Sequence, residues 1–269
     1  MSGILYLVPS PIGNLQEVSP RAKEVLSYVD YIACEDTRNT SKLLTLLNIS
    51  KKCFSCHEHN EASSSSKIID DLLEGKSIAY LSDAGYPCIS DPGYLLVKKA
   101  IGNNVVVVPL SGPNAFLNAL VGSGIDTSHF VFYGFLDSKE TAREKELNEL
   151  KDFPFTLIFY EAPHRINETL NSMYQVFGNR NVCIARELTK KFEEFIRSDL
   201  KTLVEEKRDY IGELVIIVEK NSDTNNASNY FEQYQKLIEA GYSTKDAINI
   251  ISLLFDVNKN SLKKELIKK

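Results

Sequence analysis

Charged, amide and hydroxyl side chains gather in a few short segments of this chain, each placed directly after an apolar run of strand length. Glu35-Asp36-Thr37-Arg38 sets two carboxylates beside a guanidinium. Such a cluster is expensive to keep unless it is paired or functional, so a proton-handling pair and a structural salt bridge are both open. His57-Glu58-His59-Asn60-Glu61 packs acid, base and amide donors into five residues that could orient a substrate or form a solvated loop. Ser82-Asp83-Ala84-Gly85-Tyr86-Pro87-Cys88-Ile89-Ser90-Asp91-Pro92-Gly93 is richer in special residues than a turn requires. Its glycines let backbone approach a ligand, its prolines stiffen the loop, and its carboxylates can accept hydroxyl hydrogen bonds or face a cation. Pro9-Ser10-Pro11-Ile12-Gly13-Asn14 holds a single glycine, which supports neither a dinucleotide loop nor a triphosphate loop. Ser111-Gly112-Pro113-Asn114, Tyr160-Glu161-Ala162-Pro163-His164-Arg165 and Ala185-Arg186-Glu187-Leu188-Thr189-Lys190 complete the set. The carboxyl edge of an open α/β sheet is where ligand-binding groups collect, and together these loops outline one cleft.

The elements that must position these loops are strands alternating with helices, the pattern of α/β layering around mostly parallel sheets. Strands are predicted near residues 4–8, 31–34, 77–81, 105–109, 130–133, 156–160, 182–186, 192–196 and 214–218. A helix starts at Ser19-Pro20, with serine as the cap, proline in the first turn and Ala22, Val25, Leu26 and Val29 as the buried stripe. Further helices are predicted over 40–47, 67–74, 94–101, 114–121, 142–150 and 166–177. The chemistry-bearing loops divide near residue 112, so two α/β lobes, 1–111 and 112–220, are expected to flank an inter-lobe cleft. The polar stretch 221–228 reads as a linker. Helical patterns from Tyr230, Thr244 and Ser261 then form a small unit, 229–269, resembling a helix-turn-helix that touches nucleic acid or only buttresses the second lobe.

Composition bounds the setting. The chain has 269 residues, 43% of them hydrophobic, enough for a core without staples. Its five cysteines are odd in number and scattered, which argues against a disulfide framework. Cys53-Phe54-Ser55-Cys56-His57 matches a haem-attachment pattern, but no export signal precedes it and no second ligand pair would close a zinc site, so no metal is expected. No stretch approaches the roughly 18 apolar residues of a membrane span, and a cytoplasmic protein with no membrane partner is expected. The net charge of −5 suits a nucleic-acid partner poorly on average. Local basic clusters at Lys51-Lys52, around Arg186 and Lys190-Lys191, and in the tail at Lys259, Lys263, Lys264, Lys268 and Lys269 leave room for a patch.

Pro11-Ile12-Gly13-Asn14, Glu35-Asp36-Thr37-Arg38, the 82–93 loop, Pro163-His164-Arg165 and 185–190, in this order, resemble the bacterial 16S ribosomal RNA cytidine 2′-O-methyltransferases of the tetrapyrrole methylase (class III) superfamily. The resemblance spans about residues 4 to 218. It implies two lobes with S-adenosylmethionine in the cleft, a homodimer, and 16S rRNA within the small ribosomal subunit as substrate. By position it implies cofactor contacts at Asp83, Ala84, Gly85, Ser111, Gly112, Pro113, Tyr160 and Ala185. Substrate contacts are implied at Pro11, Asn14, Arg38, His59, Asn60, Lys139, Arg165 and Lys190. The chain departs from the family pattern at Ser10, Tyr86, Ser111, Asp137 and Ala162, and the bulky ring of Tyr86 could alter how its loop meets the cofactor.

Methyl transfer by in-line displacement at a sulfonium carbon asks the protein for alignment, exclusion of water and management of the hydroxyl proton. A general base contributes about 10²- to 10⁴-fold. Glu35, Asp36, His59 and Glu61 are the candidates, and the Glu35/Asp36 pair is favoured because Arg38 could fix its geometry. The rival readings are a methyltransferase of the same fold acting on a tetrapyrrole or a modified protein side chain, and a non-catalytic nucleic-acid binder with a vestigial cleft.

Overall fold

The computed structural model describes residues 2–221, 225–255 and 257–267. They divide into two compact units, one of residues 2–151 with 155–219 and the other of 152–154 with the residues from 220 onward.

In its first half the larger unit runs β1 (Ile4–Leu7), α1 (Pro20–Tyr28), β2 (Tyr31–Cys34), α2 (Thr37–Leu46), β3 (Cys53–Ser55), α3 (Glu61–Leu73), β4 (Ile78–Leu81), α4 (Tyr94–Gly102) and β5 (Val106–Pro109). The strands form one parallel sheet in the order β3-β2-β4-β1-β5. β4 is buried along its whole length, as a strand covered by helices on both faces must be. Its side chains alternate between two cores. Ile78 and Tyr80 join Leu5, Ile68, Leu72 and Leu96 on one face, while Ala79 and Leu81 join Leu26, Ile32 and Leu44 on the other.

α1 starts as its sequence predicts, with the Ser19 hydroxyl oxygen accepting from the Ala22 N–H at 3.1 Å and Pro20 in the first turn. α3 starts at Glu61, six residues before the predicted start at Lys67. The run Ser63-Ser64-Ser65-Ser66 lies inside the helix with its hydroxyls satisfied by nearby carbonyls, Ser64 donating to Ser55 at 3.2 Å and Ser65 to Ala62 at 3.2 Å.

The second half adds α5 (Ala115–Ser123), β6 (Phe130–Phe135), α6 (Glu140–Leu150), β7 (Thr156–Glu161), α7 (Ile166–Phe177), β8 (Asn181–Arg186), β9 (Glu194–Asp199), α8 (Leu200–Glu206) and β10 (Leu214–Val218). Its sheet has the order β6-β7-β10-β8-β9. Here the expectation of mostly parallel strands is corrected: only β6 and β7 run parallel, and the other three pairings are antiparallel. The seven residues between β8 and β9 are too few for the crossover a parallel pair requires, and β10 runs against both its neighbours. β9 begins two residues later than predicted, leaving Phe192 exposed in the loop before it. α8 and a short 3-10 turn at Leu15–Glu17 were not legible, being too short for a periodic signal.

The smaller unit contains α9 (Asn225–Glu239), α10 (Thr244–Leu254) and α11 (Lys259–Ile267) around Tyr230, Ile248, Ile251, Leu262 and Leu266. α9 begins within the stretch read as a linker, of which 222–224 lie outside the described residues, as do Lys268 and Lys269 of the basic tail. Among the described residues no helix is long and apolar enough to cross a membrane.

Gly93 lies where the 82–93 loop meets the core of the first sheet. Its φ is +125°, and a Cβ there would stand 2.4 Å from Tyr80 Cε1 and 2.9 Å from Cys88 Sγ. Gly93→Ala is expected to destabilise the protein by about 1–3 kcal/mol through overpacking alone. Urea denaturation checks this, and an unchanged midpoint would contradict the close packing.

Candidate active site

Three loops at the carboxyl edge of the first sheet are stitched to one another. Ser10 N–H donates to Gly85 O at 2.8 Å and Gly85 N–H returns a bond to Ser10 O at 3.0 Å. The Ser10 hydroxyl donates to Ser82 O at 2.7 Å. The loop after β5 is tied in by its Gly112 N–H, which donates to the Tyr86 phenol oxygen at 2.9 Å. Gly112 also rests on Pro9, whose Cγ would lie 2.4 Å from an added Cβ. Tyr86, the departure noted in the sequence, therefore acts as a tie between two loops.

The segment 88–93 is contorted: Cys88 and Ser90 have φ values of 72° and 60°, unfavourable for residues with side chains. It is held by Glu61, whose Oε1 accepts from the N–H groups of Gly93, Leu95 and Leu96 at 3.0, 2.9 and 3.2 Å. A buried carboxylate at the start of α4 complements the helix dipole and its unpaired N–H groups. Glu61, weighed above as a proton acceptor, is thus a structural cap.

These loops form one wall of a cavity of about 340 Å³, within the range of small-molecule sites. Ala84, Gly85, Tyr86 and Asp91 face it from the first half. Asn114, Ala115, Tyr160 and the segment from Gly212 to Val215 face it from the second. Tyr160 is braced by Phe132 and Phe135, with ring centroids 4.9 and 5.5 Å away, and burial pushes its phenol up to about 12. Burial, reinforced by the charges of Glu35 and Asp83 and opposed by a hydrogen bond from Ser82, pushes the Asp91 carboxyl up to about 7.

Of the residues expected at the cofactor, Ala84, Gly85 and Tyr160 line this cavity. The Asp83 carboxylate instead accepts from Asn39 Nδ2 at 2.8 Å. Ser111 and Gly112 are exposed and Pro113 is buried, and the next two residues, Asn114 and Ala115, provide the lining. Ala185 is fully buried among Ala119, Cys183 and Val215 and faces the core of the second half.

Of the catalytic trio, Asp36 accepts from the Arg38 N–H at 2.8 Å as the cap of α2, and the Arg38 guanidinium holds its two oxygens at 3.1 and 2.7 Å. Those hydrogen bonds keep the Asp36 carboxyl at about 2, a poor proton acceptor, and Arg38 is exposed. Glu35 is half-buried and its carboxyl is raised, first by burial and then by Asp83. None of the three lines the cavity.

Among the expected substrate contacts, Pro11 is half-exposed and Asn14 caps the Leu15–Glu17 turn by accepting from Gln16 N–H at 3.0 Å. His59 is exposed, edge-to-face with His57, and Lys139 is exposed before α6. Asn60 is used within its loop, accepting from His57 N–H at 2.8 Å. Lys190 Nζ donates to Glu187 and Glu213 at 2.8 and 2.7 Å. Arg165 is mostly buried, ion-paired with Glu161 and donating to Leu136 O at 2.9 Å.

Sequence reasoning missed Asp91 as a lining residue, although its motif was singled out, and it missed Gly212, Glu213 and Leu214, which carry no signal beyond a glycine before an apolar strand. Among the described residues no group of three or more His, Cys, Asp or Glu side chains converges as a metal site would, and Cys56 is buried with its thiol pushed up to about 11 by burial.

Residues 4–204 match the family model of the tetrapyrrole (corrin/porphyrin) methylases. A relative from Halalkalibacterium halodurans, named ribosomal RNA small subunit methyltransferase I, is 44% identical over 93% of this chain and 90% of its own length. Another of that name, from Bacillus subtilis strain 168, is 46% identical over 91% of this chain and 88% of its own. The chain belongs to this methyltransferase family. Its fold is shared by the uroporphyrin-III C-methyl transferase of Thermus thermophilus complexed with S-adenyl homocysteine, at a TM-score of 0.59, 15% identity and coverage of 81% of this chain and 98% of that one.

One ion pair of the site makes a direct test of the second wall. The Glu161 carboxylate, almost fully buried, receives Arg165, the Ala162 N–H at 2.7 Å and the Thr169 hydroxyl at 2.5 Å. Glu161→Gln leaves the mostly buried Arg165 charge uncompensated and is expected to cost about 3–5 kcal/mol in urea denaturation. A loss below 1 kcal/mol would mean that Arg165 finds water or another partner.

Proposed function

We propose that this methyltransferase moves a methyl group from S-adenosylmethionine to the 2′-hydroxyl of one cytidine in 16S rRNA of the small ribosomal subunit, in the cytoplasm. The observation that carries the reading is the cavity between the two sheets, with a carboxylate of raised proton affinity in its wall. The residues present fit the cofactor. Gly85 and Ala84 allow close backbone approach, Ile12, Ile89 and Leu214 offer an apolar surface to a flat base, and Tyr160 and Asp91 suit a sulfonium cation by ring face and charge. When bound, S-adenosylmethionine supplies an electrophilic methyl group.

The protein's own part is to hold and to exclude. The Ser10–Gly85 and Tyr86–Gly112 bonds fix the loops that form the first wall, and the Glu161–Arg165 pair fixes the turn that closes the second. A hydroxyl nucleophile needs somewhere for its proton to go, and a carboxylate in the cavity wall is suited to take it. The relatives' name brings the small-subunit RNA as substrate. We place the RNA over Pro11, Asn14, Arg38, His59 and Lys139, with Asn60, Arg165 and Lys190 holding the loops beneath it. Glu35 with Asp36 and Arg38 stands at that edge as a substrate-orienting group.

Exposed apolar side chains on α4 (Tyr94, Leu95, Ile101) and α5 (Leu117, Val121) support a homodimer. Sedimentation equilibrium is expected to give the mass of two chains, and a single-chain mass at micromolar concentration would refute it.

The substrate is tested with methyl-labelled S-adenosylmethionine and small subunits from a strain lacking this enzyme, followed by nuclease digestion and mass spectrometry. One 2′-O-methylcytidine per subunit is expected, and deoxycytidine at that position should abolish incorporation. Label on a base, or none despite cofactor binding, would overturn the reading.

A further inference from the structure

Building on the function just proposed, we infer that Asp91 is the group that accepts the ribose hydroxyl's proton during methyl transfer. Geometry singles it out. Asp91 lines the cavity, whereas Glu35, Asp36 and Arg38 do not. Of the other carboxylates that face the cavity, Glu161 is taken up by Arg165, Ala162 and Thr169, and Glu213 by Lys190. Among the described residues, Ser82, whose hydroxyl also donates to the Gly85 carbonyl at 3.2 Å, is the one hydrogen-bonding side chain acting on Asp91, and no cation lies among the groups that shift it.

The fold also maintains strain to present this side chain. Cys88 and Ser90 hold left-handed backbone just before it, and Gly93 just after it has a conformation and a packing that admit no side chain. The three N–H bonds to Glu61 fasten the end of that segment to α3. Strained backbone held by this much anchoring is characteristic of functional loops.

The titratable groups facing Asp91 are Glu35, Asp83, Cys88 and Tyr160, and the two carboxylates each raise its proton affinity. With its carboxyl at about 7, Asp91 is near half-protonated at neutral pH in the free protein. A cation bound beside it favours the ionised form, as a base requires. In the transfer step the O2′–H bond breaks and its proton goes to Asp91, while the O2′–methyl bond forms. The methyl–sulfur bond breaks with its electron pair left on sulfur. A carboxylate and a sulfonium thereby become a carboxylic acid and a thioether, and net charge is conserved. Loss of the neighbouring cation raises the proton affinity of Asp91 as the hydroxyl gives up its proton.

Two measurements on the full-length protein test this. Calorimetric titration of S-adenosylmethionine at pH 7, in two buffers of different ionisation enthalpy, is expected to show release of a fraction of a proton by wild type and none by Asp91→Asn. In single-turnover assays with small subunits at saturating cofactor, Asp91→Asn is expected to bind the cofactor more weakly and, once loaded, to lose about 10²- to 10⁴-fold in rate. Asp91→Glu should recover part of that rate with a displaced pH profile. Proton release unchanged in Asp91→Asn, or a rate within about threefold of wild type, overturns the inference. Should Asp91→Asn fail to bind cofactor, Asp91→Glu decides: binding without any transfer, or transfer with an unmoved pH profile, overturns it as well. Wild type yielding no 2′-O-methylcytidine would instead overturn the substrate reading itself, and the inference with it.

Discussion

The Glu61 carboxylate, buried where α3 meets the start of α4, takes three backbone N–H groups on one oxygen. Those groups have no partner within their own helix, and in a buried position each would otherwise be costly. By satisfying them, Glu61 fixes where α4 begins, and so where the strained loop before it must end. The Tyr80 ring supports the same point from below, packing where any side chain on Gly93 would go. The position of Asp91 in the cavity wall hangs on that loop, and Gly85 and Tyr86 just before it carry the bridge to Ser10 and the tie to Gly112.

The two halves of the larger unit meet this loop with different architectures. The first is a parallel sheet whose loops collect at one edge, as the topology of such sheets requires. The second is mainly antiparallel, and it contributes the aromatic ring of Tyr160 and the backbone of 212–215 from adjacent strands β7 and β10. Charge follows the same division. Glu35, Asp83 and Asp91 lie on the side of the first half, while the carboxylates of the second half, Glu161, Glu187 and Glu213, are paired with Arg165 and Lys190. Of the carboxylates that line the cavity, Asp91 alone has no cationic partner among the described residues, which would draw a cationic ligand group to the first wall.

Much of this was legible in the sequence because strands and long helices announce themselves by period. The runs at 31–34, 156–160 and 214–218 and the cap at Ser19 were readable from local chemistry alone. The direction of strands in the second sheet was not, since an apolar run looks alike whichever way its partner runs. Within the site, the motifs were visible but the tasks of their members were not. Asp36 and Glu61 sit in segments that read as chemistry, and the structure uses one to cap α2 and the other to cap α4. Whether a carboxylate is satisfied by backbone N–H groups or left facing a cavity depends on contacts made across dozens of residues, such as those between Glu61 and Leu95. Gly212 lines the cavity just before β10, whose pairing with β7 no local pattern reveals.

The central claim is that the strained 88–93 loop and the Tyr160 ring enclose the cofactor between the two sheets. A crystal structure of the protein with S-adenosylhomocysteine tests it most directly. The ligand is expected against Ala84, Gly85 and Tyr160, with its sulfur on the side of Asp91. Ligand bound at any other place, or in this cavity with its sulfur turned away from Asp91, would contradict it.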